Sequence, residues 1–334
     1  MSFALPGALC REERKNGGKI PKAALTNGKV RNGCRRRSGS SDPVCKGEDR
    51  LFVKKKSVWL FLLPGLAGLM LFYVVPFFGG IWYSVTDGSY KNAFVGLENY
   101  INIWQNQMFL LGLKNTMLLS LICAPLVWIL SFVFAALLNR LSPSGAFFRN
   151  SILLPYLMPS SAMLLIWLVI FDYGGVVNRL VEAMGFARIN WLEGAQLRFP
   201  IILMFVWKNL GFAVVIFLAA LQSIPKPLYE FATLEGAGFW KQTFAITLPM
   251  VVPSAFLVII LEWINAFKIF KEVYFIGGAY PDYSVYTLQN YMNNMYSKLN
   301  YQNVTTAAYS FAIIVFLLFG ILFMSQKRLM KTLT

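Results

Sequence analysis

The chain has no histidine anywhere in its 334 residues, which removes the commonest general base, proton shuttle and zinc ligand. Charge is scarce too: 14% of residues are Asp, Glu, Lys or Arg, where a soluble domain carries about a quarter. The four cysteines, Cys10, Cys34, Cys45 and Cys123, make no C-x-x-C pair and read as reduced thiols without a metal. No G-x-x-x-x-G-K-[ST] phosphate loop is present; Gly17-Gly18-Lys19 comes nearest and fails on spacing and at Ile20. No nucleophile with a base and no metal cluster can be assembled, so the chain is not expected to be an enzyme or to bind a cofactor of its own.

What the sequence does have is apolar length. Hydrophobic residues make up 57% of it, a composition that points to lipid. The 31 Lys and Arg against 15 Asp and Glu look like a nucleic-acid signal, but fifteen of those bases lie between Arg11 and Lys56, opposed there by five acids. The excess is a tail. Residues 1–50 are rich in Gly, Ser, Asn, Lys and Arg and cannot bury enough apolar surface to offset the entropy of ordering, so a disordered basic segment over 1–56 is expected. It holds no apolar core of signal-peptide length. Arg35-Arg36-Arg37 is all that favours a nucleic acid; anionic headgroups suit the tail better, and no nucleic acid is expected as a partner.

Crossing roughly 30 Å of hydrocarbon at 1.5 Å per residue takes about 20 residues. Six runs of that length follow, near 58–85, 116–138, 151–171, 199–221, 248–267 and 307–324, within a transmembrane region expected over 57–334. The fold expected is therefore all-α and polytopic. Lys54-Lys55-Lys56 before the first run and Gln326-Lys327-Arg328 with Lys331 after the last place both termini in the cytoplasm, because basic flanks resist translocation. Arg140 and Arg149 flank the second cytoplasmic loop, and the connections over 86–115 and 172–198 then face outward.

Between the fourth and fifth runs, residues 222–247 are too patterned for a linker. Pro227 suits a first helical turn, Leu228, Phe231, Ala232 and Glu235 share one helical face, and Gly236 supplies a left-handed helix end. A second short helix follows, with Phe239 and Thr243, and Trp240 and Phe244, at i,i+4, before Pro249 opens the next span. This helix, glycine turn and helix displays Tyr229, Phe231, Phe239, Trp240 and Phe244 on the cytoplasmic side. Aromatics so placed suit either a partner surface or the headgroup layer. Glu230 and Glu235 gain nothing from an anionic leaflet.

The spacing E-x-A, then Gly, then nine residues, then I-x-L-P, written here as Glu230, Ala232, Gly236, Ile246, Leu248 and Pro249, resembles the EAA loop of binding-protein-dependent ABC importer permeases. Ile224-Pro225, the stretch from Trp207 to Phe212, Leu154-Pro155-Tyr156 and Gly174-Gly175-Val176-Val177-Asn178 are similar to its carbohydrate-uptake branch. Phe231 stands where the triplet has its middle alanine, and Glu235 where the family usually has aspartate. The resemblance implies a bacterial inner-membrane core of two permeases, usually different chains, on two cytoplasmic ATPase subunits that hold ATP and Mg, with an extracytoplasmic solute-binding protein delivering a sugar or oligosaccharide. It implies that the loop helix seats in the ATPase, with Glu230 in a charged contact and Gly236 shaping the turn.

Ionisable and polar groups inside the spans are expensive and count as candidates for the translocation path: Lys208, Asn209, Glu262 and Asn265, beside Trp207. An internal Lys208 to Glu262 pair is an equal reading. Trp207, Trp263, Tyr156 and Phe212 suit stacking on sugar rings, Lys268 and Lys271 suit snorkelling at the outer end of the fifth span, and residues 273–303 suit either a binding-protein contact or a solvated connector. Two alternatives stand beside the importer of sugars. One is an ion-gradient carrier, which needs intramembrane carboxylates or broken helices repeated between two halves; the other is a permease of the same family for a non-sugar solute such as a glycerophosphodiester.

Overall fold

A computed structural model describes residues 55–89, 93–140 and 145–333; the expected basic segment before Lys55 lies outside them. The chain divides into two compact units, Met1–Ala67 and Gly68–Thr334, and the packing below is all within the second. Among the described residues the regular structure is helical, with one isolated bridge between Thr86 and Phe94. The order is α1 Lys55–Leu69, a π turn Met70–Val74, α2 Val75–Ser84, α3 Glu98–Gln105, α4 Gln107–Arg140, α5 Gly145–Leu157, α6 Ser160–Phe171, α7 Val176–Ala183 and α8 Arg198–Gln222. Then come α9 Lys226–Leu234, α10 Phe239–Gln242, a π turn Thr243–Thr247, α11 Leu248–Ala266, α12 Phe270–Gly277, α13 Leu288–Ser297 and α14 Tyr301–Leu333.

Among the described residues six stretches are long and apolar enough to cross a membrane: Leu62–Ser84, Gln107–Asn139, Ser160–Ala183, Gly194–Gln222, Phe239–Gly277 and Tyr301–Arg328. The centre is built from α4, α8 and α11. On α4 the buried residues Leu119, Cys123, Val127, Ser131, Ala135 and Leu138 recur every three or four positions, the spacing of one helical face. They meet Ile201, Phe205, Ala213, Val214 and Phe217 of α8 and Val251, Ala255 and Val258 of α11. Trp128 pins two of these helices by donating its indole N–H to Ala255 O at 2.9 Å. At Gly211 a Cβ would run into the Ile152 carbonyl, so glycine is what lets α5 lie against α8. Outward faces keep large apolar side chains, such as Phe316 and Leu317 on α14, as lipid-facing surfaces do.

Three expectations change. The third span is not one helix over 151–171: it breaks at Met158 and Pro159, between α5 and α6. Proline has no N–H to continue the ladder and pushes the preceding residue out of the helical region. The second helix of the loop is not separate from the fifth span, because α10, the π turn and α11 run on without interruption past Pro249; the π turn over Thr243–Thr247 lies just before Pro249, the kind of local adjustment that accommodates a proline within a membrane helix. That span is instead interrupted later, at residues 267–269, and resumes as α12.

Residues 273–303 are not a solvated connector. They contain α13, whose Tyr291 and Leu288 pack with Ile103, Phe109, Tyr286 and Ala307 in a second apolar core. A capping box between Thr287 and Asn290 starts α13. Asn115 donates to Tyr283 O at 2.7 Å and Tyr286 O at 3.0 Å, and the Leu288 amide donates to Thr116 Oγ1 at 2.9 Å. Burial pushes the Tyr291 phenol up to about 12.

Candidate functional site

Two groups of residues stand out, an exposed loop between α8 and α11 and a buried polar cluster beside the two helix breaks. In the loop, Pro225 caps α9 in an extended conformation and Pro227 falls in the first turn. The helix ends as its sequence foretells: Gly236 has φ +75°, its amide donates to Thr233 O at 3.0 Å, and the Ala237 amide donates to Ala232 O at 2.9 Å. This pair of bonds is the Schellman closure, which an L side chain with its Cβ disfavours at the glycine. Gln242 Nε2 then straps the turn, donating to Thr233 Oγ1 at 3.0 Å and Ala237 O at 2.9 Å. Tyr229 shares a 2.9 Å hydrogen bond with Thr247 Oγ1, so α9 is fastened to the base of the fifth span.

The fastening is internal and the display is external. Tyr229 and Ile246 pack against the central core, and Ala232, Leu248 and Pro249 are half-buried. Phe231 is 68% exposed, Trp240 68% and Leu234 84%; Phe239 and Phe244 are exposed as well. Trp240 stacks on Phe244 with centroids 6.1 Å apart, and Phe239 packs on Trp240, which makes one aromatic ridge. Glu230 and Glu235 are exposed and have no ion-pair partner among the described residues. Behind the ridge a cavity of about 500 Å³ opens between it and Phe132, Ala136 and Asn139 of α4. Leu234, the most exposed apolar residue here, was not among the sequence candidates, although its place one turn after Glu230 on the Phe231 side gave the signal.

The intramembrane candidates separate. Lys208 does not pair with Glu262: its ammonium donates to Glu272 Oε1 at 3.1 Å and to Ser160 Oγ at 2.9 Å. Glu272 escaped the sequence reading because Lys268 and Lys271 marked the end of the span; an unmatched buried lysine was the cue to look for the next acid. Asn265 donates to Asn209 Oδ1 at 3.5 Å, and Asn209 in turn donates to Phe205 O at 2.9 Å. Glu262 is fully buried, and neither of its oxygens has a hydrogen-bond partner among the described residues. The aromatics expected to stack on a solute stack on one another: Tyr156 on Phe212 at 4.9 Å, Trp263 on Phe319 at 6.4 Å, and Trp207 edge-on to Trp167 at 5.6 Å. Among the described residues no three His, Cys, Asp or Glu side chains gather as a metal site.

Six apolar crossings, buried polar groups at broken helices and an ordered loop that presents aromatics define a polytopic membrane protein of the transport class. The model of the family described as binding-protein-dependent transport system inner membrane component matches residues 129–331, and the chain belongs to that family: it is the membrane permease component of a binding-protein-dependent ABC transport system. It is 30% identical over 213 residues to the sn-glycerol-3-phosphate transport system permease protein UgpA of Yersinia pestis, covering 63% of this chain and 72% of that protein. To the trehalose/maltose transport system permease protein MalF of Thermococcus litoralis it is 28% identical over 276 residues, 81% of this chain and 93% of the relative. The fold is that of a chain in the crystal structure of a bacterial ABC transporter involved in import of the acidic polysaccharide alginate, with a TM-score of 0.72 at 21% identity over 82% of this chain and 96% of that one.

Proposed function

We propose that this chain forms half of a two-permease core that imports sugars or oligosaccharides, and that residues 222–247 are where a separate ATPase subunit docks and moves it. The partner permease, two ATPase subunits carrying ATP and Mg, and an extracytoplasmic solute-binding protein complete the system; this chain holds no nucleotide. Both termini and the loop lie on the cytoplasmic side, with the basic segment 1–56 ahead of a permease domain over 57–334. The observation that carries the reading is the loop itself. Exposed apolar side chains, Phe231 and Leu234 on α9 and the stacked Trp240 and Phe244 after the turn, flank a turn closed by four hydrogen bonds of its own, so the loop is pre-shaped without the partner and has apolar area left to bury.

Motion would pass from the ridge along a rigid path. Because α10 continues into α11, a pull on Trp240 acts on the fifth span directly, and the Tyr229 to Thr247 bond brings α9 along. Glu230 lies beside the ridge and meets a basic group of the ATPase; a charge-assisted contact of this type is worth about 2 kcal/mol. The test is purification of the complex through a tag on this chain. Glu230→Ala is expected to recover less ATPase subunit, or to leave hydrolysis running without uptake; equal recovery with equal coupled uptake counts against the docking role. The carbohydrate class is supported by the motifs of that branch and by the likeness to a trehalose/maltose permease, and dependence of labelled oligosaccharide uptake on this chain, with glycerol 3-phosphate and a glycerophosphodiester in parallel, separates it from the non-sugar alternative.

A further inference from the structure

Lys208 and Asn209 are neighbours on α8, a central span that crosses unbroken, and each holds a different side of a break in another helix. Asn209 accepts from Asn265 at 3.5 Å, one residue before α11 ends at Ala266. Lys208 reaches Glu272 at 3.1 Å, in the first turn of α12 just past the interruption at 267–269. The same ammonium donates to Ser160 Oγ at 2.9 Å, the first residue of α6 and the first after the break at Pro159. Three segments that begin or end inside the apolar region thus converge on two adjacent residues of one continuous helix.

The chemistry makes this node costly to alter. The Glu272 side chain is 6% exposed and that of Lys208 20%, so either charge left alone would be stranded in a poorly solvated place. A lysine beside the amino end of α6 is itself unfavourable, since that end carries partial positive charge; Glu272 offsets it. Broken helices have free backbone groups at the break and bend there more readily than elsewhere, so the pair fixes the angle at which α6 and α12 leave the break.

We propose that Lys208 and Glu272 are positioning residues of the transport cycle. Their ion pair holds the outer halves of the third and fifth spans against the fourth in this conformation and comes apart or re-forms when the pathway changes sides, so Lys208 acts on the path through α6 and α12 and not as a ligand of the solute. This rests on the permease reading above. It differs from the sequence expectation in which Lys208 touches solute directly.

The experiment uses the native complex, purified through a tag on this chain and reconstituted in vesicles, with Lys268→Cys as a reporter in the break. Lys268 is exposed and the native Cys123 is buried, while Cys10, Cys34 and Cys45 are replaced by serine in every version of the chain. Labelling by a membrane-impermeant maleimide is compared with and without ATP in otherwise wild-type protein, in Lys208→Met, in Glu272→Gln and in the exchange Lys208→Glu with Glu272→Lys. ATP is expected to change the labelling rate of the reporter protein. Each single variant should abolish that change by moving the resting rate by about tenfold or more, and the exchange should restore it. Single variants that respond to ATP like the reporter protein overturn the proposal, as do singles and exchange that fail alike while Lys208→Arg responds normally. A reporter protein that is indifferent to ATP but folded by thermal unfolding counts against the permease reading, and the proposal falls with it.

Discussion

The two ends of the bundle solve the same problem in opposite ways. At one end, α13 buries its apolar face on α3, α4 and α14 and spends its polar groups on Asn115, Thr116 and a capping box. At the other, α9 and α10 are just as well closed, by Gly236, Gln242 and Tyr229, yet Phe231, Phe239 and Trp240 stay outside. Local order without burial is the mark of a surface prepared for something else, whereas local order with burial is self-sufficient. A ridge lying in headgroups would need only amphipathicity, not a strapped glycine turn with two exposed carboxylates.

That contrast can be broken by substitution. The largest effect on stability is expected at the self-sufficient end. Tyr291→Ala removes one of the largest fully buried side chains and should cost about 3–5 kcal/mol, read as a lowered thermal midpoint of the purified chain. If the midpoint stays put, the second core is not holding that end together. At the loop end, Trp240→Ala and Phe231→Asp should leave the same midpoint nearly unchanged while weakening capture of the ATPase subunit by about 2 kcal/mol or more each, some thirtyfold. A large drop in midpoint there would mean that the ridge is core after all.

Gly236→Ala comes next, because φ +75° is strained for any Cβ; about 1 kcal/mol is expected, as faster proteolysis between α9 and α10. The smallest effect belongs to Asp282, whose carboxyl is held below the ordinary carboxylate range by hydrogen bonds from Ser284, side chain first and backbone amide second. A lowered value means that its stabilisation is complete above the ordinary carboxylate pKa and is lost as pH falls through the lowered one. Asp282→Asn should therefore flatten the acid side of the stability curve slightly, and a curve identical to wild type there would remove Asp282 from the account.

Apolar run length alone yielded the number of crossings, since hydrocarbon thickness sets a minimum length and each of the six runs overlaps one of the six apolar stretches among the described residues. It did not fix the ends, and the third run stops at Phe171 where the stretch continues to Ala183. Hydropathy is blind to where the ladder is cut. Nothing in the apolar run over 151–171 announces a break except Pro159, and Pro155, Pro125 and Pro253 sit inside helices without cutting them. In the loop, Gly236 and Pro227 were legible because each has a backbone reason to be where it is. α13 was not, since its signals are a Thr287 to Asn290 cap and asparagines that face inward, and polar residues over 280–300 read as solvated until the partners on α4 are known. Glu272 was lost for a related reason: two lysines around it looked like the end of the membrane, while the chain had bent at 267–269 and was still inside.

The most direct measurement of whether the loop grips a motor is a photo-cross-linking residue placed at Leu234, the most exposed apolar position of the loop, in the native membrane and with and without nucleotide. Adducts to the ATPase subunit are the expected result, in proportions that change with nucleotide; adducts to lipid alone in every nucleotide state would contradict it.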